Sequence, residues 1–148
     1  MAPLVALLVG SIVARIVGWC GVGYVDDWIA AIAVGLAVMF VVTGVAHFVP
    51  PLRRDLVAII PPRLPAAGAL VTITGVLELA GAAALFWPAT RVAAALCLLL
   101  LMLAMFPANV YAARMPQPPK SMTMRLGVRT AEEFVFLTAA VVVAVGGS

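Results

Sequence analysis

From Leu64 to Phe86 the chain carries one charged residue, Glu78, near the middle of an otherwise apolar run. A helix needs roughly 20 such residues to cross the hydrocarbon core of a bilayer. Four further runs of this kind follow or precede it, at 3–18, 28–49, 91–113 and 125–145. Inside lipid every backbone N–H and C=O must be bonded within the protein, and an uninterrupted apolar run achieves that as a helix. A membrane barrel would instead alternate apolar and polar residues with period two. The 148 residues are 66% hydrophobic and 10% charged, against about 45–50% and about 25% in a soluble domain. The expected fold is therefore all-α: a single-domain polytopic membrane helix bundle over residues 1–148.

The run at 3–18 is short and holds Arg15. It lacks the basic start of a signal peptide, and bulky Trp19 before Cys20 makes a poor lipoprotein site. It is expected to stay as a short or tilted span. The basic residues set an orientation. Arg53, Arg54 and Arg63 fall in the loop 50–63, and Arg114, Lys120 and Arg125 in the loop 114–125. The positive-inside rule places both loops in the cytoplasm of a bacterial-type plasma membrane. Five spans then put the N-terminus inside and Gly146, Gly147 and Ser148 outside. Trp19, Tyr24, Trp28 and Trp87 form an outer aromatic belt.

Diprolines at Pro50-Pro51 and Pro61-Pro62 bracket Leu52, Leu56, Ile59 and Ile60 at helical spacing. The segment reads as a surface helix with Arg53 and Arg54 toward lipid headgroups, or as an ordered loop capping the bundle. Cys97 reads as a small core hydrophobe, and no CxxC pair supports thiol exchange. A net charge of +3 without a basic cluster excludes a nucleic-acid partner. One His and scattered carboxylates are too few for a metal or haem site.

Ionisable groups within a membrane are costly and default to functional candidates. At 1.5 Å of rise per residue, Glu78 lies about 20 Å from the cytoplasmic end of its span. His47, Asn109, Arg129, Glu132 and Glu133 lie nearer that end. Val71, Thr74, Glu78 and Gly81 share a helical face, with Gly81 allowing a close neighbour. Ala104, Ala108 and Ala112 form a second small-residue stripe. Arg129 is expected to pair with Glu133 or Glu132. Glu78 is either a carboxyl that holds helices together or a proton-relay or ligand group. His47 faces headgroups or serves as partner to a carboxylate, and either His47 or Asn109 is the candidate to hold a quinone carbonyl.

The segments Gly44-Val45-Ala46-His47-Phe48, Ile59 to Pro65, Val71 to Gly81 and Phe106 to Tyr111 resemble, in order, the DoxX-like family of small membrane proteins. The resemblance implies a four-helix core plus an extra N-terminal hydrophobic helix. It is carried by His47, Pro61, Pro62, Glu78, Pro107 and Asn109. Members of that family are associated with quinone-linked and thiosulfate oxidation, with redox-stress complexes, and distantly with receptor assembly. The resemblance thus implies an accessory membrane subunit without catalytic activity alone, with quinone as the candidate cofactor. The alternatives are a scaffold or assembly factor for another membrane protein, acting through association or self-association, and a small transporter or proton channel. No inverted repeat favours the last.

Overall fold

The computed structural model describes residues 1–147. Ser148, in the tail expected outside, lies beyond the described residues. Six α-helices follow in order: α1 Ala2–Trp19, α2 Trp28–Ala46, α3 Pro50–Ala58, α4 Ala67–Leu85, α5 Pro88–Arg114 and α6 Leu126–Gly146. Short 3-10 turns at Gly23–Val25 and Lys120–Met122 complete the described elements. Proline stands in the first turn of α1, α3 and α5, where its missing N–H costs no helical bond. The Asp27 carboxylate caps α2 by accepting the Ala30 N–H at 2.8 Å.

Four helices, α1, α2, α4 and α5, are long and apolar enough to cross a membrane. The protein is thus a multi-pass helical membrane protein by length and composition. α6 is as long as α2, but Arg129, Glu132 and Glu133 crowd its first turns. Helices α2, α4, α5 and α6 close a ring, each touching the next, and α1 lies along α2 outside it. The core between them holds Leu36 and Phe40 of α2, Leu85 of α4, Leu98 and Met102 of α5, and Phe136 and Val143 of α6. Large side chains such as Leu8, Ile73, Leu100 and Phe134 stand exposed on the outer surface. That surface faces lipid, where exposed apolar area carries no hydrophobic cost.

Small residues set the spacing. α1 buries Leu7, Ser11, Ala14 and Gly18, and its Gly10 sits where a Cβ would lie 3.0 Å from the Gly35 Cα. Between α2 and α4 a Cβ on Gly75 would come within 2.5 Å of the His47 Cβ, and one on Gly44 within 2.8 Å of the Leu79 Cγ. Gly81 does allow a close neighbour, the Leu98 side chain of α5. The buried face of α4 is Val71, Gly75, Glu78, Ala82 and Leu85. It is rotated from the expected face, because Thr74 is only half-buried and its hydroxyl bonds its own helix at Leu70 O.

Three further expectations change. Cys97 is exposed on the outer surface, as is Cys20. Of the expected stripe on α5 only Ala112 is buried, while Ala104 is exposed. The diproline-bracketed segment is indeed helical, but Arg53 turns inward. Its guanidinium donates to His47 O at 3.1 Å, and to Gly68 O and Thr72 Oγ1 at 2.9 Å each. It ties α3 to the end of α2 and the start of α4, leaving Arg54 exposed.

The opposite end of the bundle carries the aromatics. Trp19, Tyr24, Trp28 and Trp87 are all exposed there. Arg15 pairs with Asp26 at 3.2 Å and lies over the Trp19 and Trp28 rings. Arg91 is buried, donating to Leu85 O and to the Tyr24 hydroxyl, which itself donates to Phe86 O.

Candidate ligand-binding site

Glu78 is 3% exposed and so is His47. Glycines at 44 and 75 bring their two helices close enough for the side chains to face each other. Thr43, one turn before His47 on α2, donates its hydroxyl to the Glu78 Oε2 at 2.5 Å. His47 Nδ1 lies 2.9 Å from Thr43 O. A carbonyl only accepts, so Nδ1 carries the proton and Nε2 of the neutral ring is a bare acceptor. Nε2 stands 3.9 Å from Glu78 Oε1, beyond direct hydrogen-bond reach. Thr43 is thus the partner that makes the buried carboxyl affordable, in place of Thr74, four residues from Glu78 on its own helix.

Arg129 of α6 supplies a second polar centre. It donates to Asn109 Oδ1 at 3.0 Å, to Met122 O at 2.9 Å and to Met124 O at 3.3 Å. The expected pairing with Glu132 or Glu133 is not made: among the described residues Arg129 enters no ion pair within 4.0 Å. The free carbonyls of the loop before α6 take its N–H groups instead. Glu132 faces the amine of Met1 at 3.2 Å. Glu133 Oε1 is buried without a hydrogen-bond partner.

Both centres open into one cavity of about 380 Å³. His47, Glu78, Asn109, Arg129, Glu132 and Glu133 all line it, as does Thr43; Thr74 does not. Its remaining wall is apolar and sulfur-rich, with Met39, Met102, Met105, Met122 and Met124 alongside Phe40 and Phe136. Six of the chain's seven methionines, counting Met1, meet here. Met is unbranched and polarizable, so it conforms to varied apolar shapes and favours aromatic rings. The volume falls within the roughly 300–1,000 Å³ of small-molecule sites. Leu52 and Leu56 of α3 and Ser121 of the 3-10 turn before α6 close one side. They are joined where Ser121 donates to Asp55 Oδ2 at 2.6 Å. Among the described residues no three His, Cys, Asp or Glu side chains gather as a metal site.

Spacing along the chain placed the polar residues at one end, but not Thr43 or the methionine wall. Thr43 was detectable as the residue four before His47. The methionines come from α2, α5 and the loop before α6, and only the tertiary fold gathers them.

Fold and site together define a multi-pass helical membrane protein with a polar-headed, apolar-walled cavity inside its bundle. A family described as Domain of unknown function (DUF8561) matches residues 36–144, so the chain belongs to that family. The match runs from within α2 to near the end of α6 and leaves α1 outside. It does not assign the chain to the DoxX-like proteins. No curated protein matches the chain, and no solved structure does.

Proposed function

We propose that the protein is an accessory membrane subunit that holds a quinone-type ligand in this cavity and serves a redox complex. The observation that carries the reading is the cavity itself. A polar pocket of Glu78, His47 and Thr43 sits at the head of a methionine-lined chamber, which suits a small polar ring on an apolar body. The motif resemblance to DoxX-like proteins supports the same reading. The proposed orientation has five spans, with the loops 50–63 and 114–125, and the cavity beside them, on the cytoplasmic side.

The test is extraction. Protein purified in mild detergent is extracted with organic solvent, and the extract is analysed for quinones by mass spectrometry. Near-stoichiometric quinone, reduced in Glu78→Gln, supports the reading. Absence of quinone, with the activity of co-purified partners unchanged by Glu78→Gln, overturns it. Assembly of another membrane protein is the second reading. It is favoured by the position of α1, which covers α2 through small residues outside the closed ring and outside the family match. It predicts a stable membrane partner that is lost when the Gly10 contact is widened by Gly10→Leu.

A further inference from the structure

We infer that the cavity selects the hydrogen-bond-donating form of its ligand: a reduced, dihydroxy-aromatic head over the oxidised dione. The inference rests on the proposed quinone-type ligand and sharpens which state of it binds.

The basis is a count of the donors and acceptors around Glu78. The Thr43 hydroxyl has one proton, and of the acceptors in its reach Glu78 Oε2 at 2.5 Å is nearer than Met39 O at 3.2 Å and Phe40 O at 3.4 Å. The His47 N–H is held by Thr43 O. Among the described residues no further side-chain donor reaches this end of the cavity, apart from any proton on Glu78 itself. Two acceptors are left: the His47 Nε2 lone pair and Glu78 Oε1, 3.9 Å apart. Both side chains are more than nine-tenths buried, so bulk water does not serve them freely. The gap is too long for a direct hydrogen bond and is spanned by one oxygen set between them. A hydroxyl there donates to one of the two. A carbonyl oxygen brings no proton and leaves Nε2 unsatisfied whether or not Glu78 holds a proton of its own.

The far end of the cavity is mixed. Glu133 Oε1 is buried without a partner. The Asn109 carbonyl oxygen is occupied by Arg129. Arg129 is itself largely spent on two loop carbonyls. The far end discriminates less, because a hydroxyl there meets Glu133 Oε1 while the Asn109 amide N–H₂ and the Met1 amine are donors that serve a carbonyl as well. The preference therefore comes from the Glu78 end, where a ring carbonyl faces acceptors with an acceptor. Sites built around unpaired polar groups reject an analogue that cannot pair them much more strongly than apolar pockets reject a change of size.

The test measures binding of three probes to the full-length purified protein by calorimetry under anaerobic conditions. They are a short-chain alkyl hydroquinone, the matching quinone, and the O,O-dimethyl ether of the hydroquinone. The ether keeps the ring and removes both donors without redox chemistry. The expected result is hydroquinone binding at least about tenfold tighter than either of the others, the worth of one well-placed hydrogen bond. In Glu78→Gln the amide N–H₂ offers His47 Nε2 a donor of its own, and the preference shrinks. Equal binding of the three, or tighter binding of the quinone, overturns this inference and leaves the proposed ligand class standing. Binding of none of them overturns the ligand class and this inference together. The wild-type comparison decides the matter even if the variant fails to fold.

Discussion

At the scale of single residues the structure turns on how a carboxyl is kept inside a membrane bundle. Glu78 depends on Thr43, whose hydroxyl is, among the described residues, the one side-chain donor within hydrogen-bond reach of it. Thr43→Val keeps the shape and removes the donor. It is expected to destabilise the fold by about 1–3 kcal/mol, the cost of an unsatisfied buried polar group. Thr43→Ser keeps the hydroxyl and retains most of that stability. Unfolding in mixed micelles compares the two. The sequence made Glu78 conspicuous because a carboxylate in an apolar run is rare at any position. Its partner was not conspicuous, because threonine is ordinary in membrane helices and lies 35 residues away on another element. Arg129 shows the converse. A nearby Glu on the same helix suggested an ion pair, yet loop carbonyls with no helical partner took its donors.

Among the elements, the α2–α4 contact positions the site, and glycine sets its spacing. Gly75→Ala puts a Cβ 2.5 Å from the His47 Cβ. It is expected to cost about 1–3 kcal/mol through overpacking and to weaken ligand binding by displacing His47. Gly127→Ala in α6 meets nothing within 4 Å. It serves as the control, neutral or stabilising by up to about 1 kcal/mol through helix propensity. A second element-scale prediction concerns α3. Arg53→Ala removes three hydrogen bonds that tie α3 to α2 and α4. It is expected to raise proteolytic cleavage between Pro50 and Arg63 in open membranes. Arg54→Ala, at an exposed position, changes stability by no more than about 0.5 kcal/mol. Helix existence and approximate bounds were legible from the apolar runs, and the α3 helix from its flanking prolines. The buried face of α4 was misjudged by about one position. A run apolar on every side carries no amphipathic signal, so only packing against Gly44 and His47 fixes its rotation.

At the scale of the whole molecule, the chain has polar chemistry at the cavity end and an aromatic rim at the other. Its two cysteines report on both depth and orientation. Cys20 lies just past α1 beside the aromatic rim, and Cys97 lies mid-helix on the lipid-facing side of α5. A membrane-impermeant maleimide added to intact cells is expected to label Cys20 and spare Cys97. Arg54→Cys is expected to be labelled only after the membrane is opened. Labelling of that position in intact cells would contradict the proposed orientation. The bundle class was readable from composition. The gathering of six methionines around one cavity was not, since they come from separate elements and meet only in the closed ring. The cavity is proposed to hold a ring-bearing ligand, and photo-crosslinking in native membranes reads that occupancy in place. An azido-quinone, mapped by peptide mass spectrometry, is predicted to label the segments around Met102 to Met105 or Met122 to Met124, and excess hydroquinone is predicted to suppress that label. Labelling confined to outward positions such as Leu100 and Phe134, unaffected by the competitor, would contradict it.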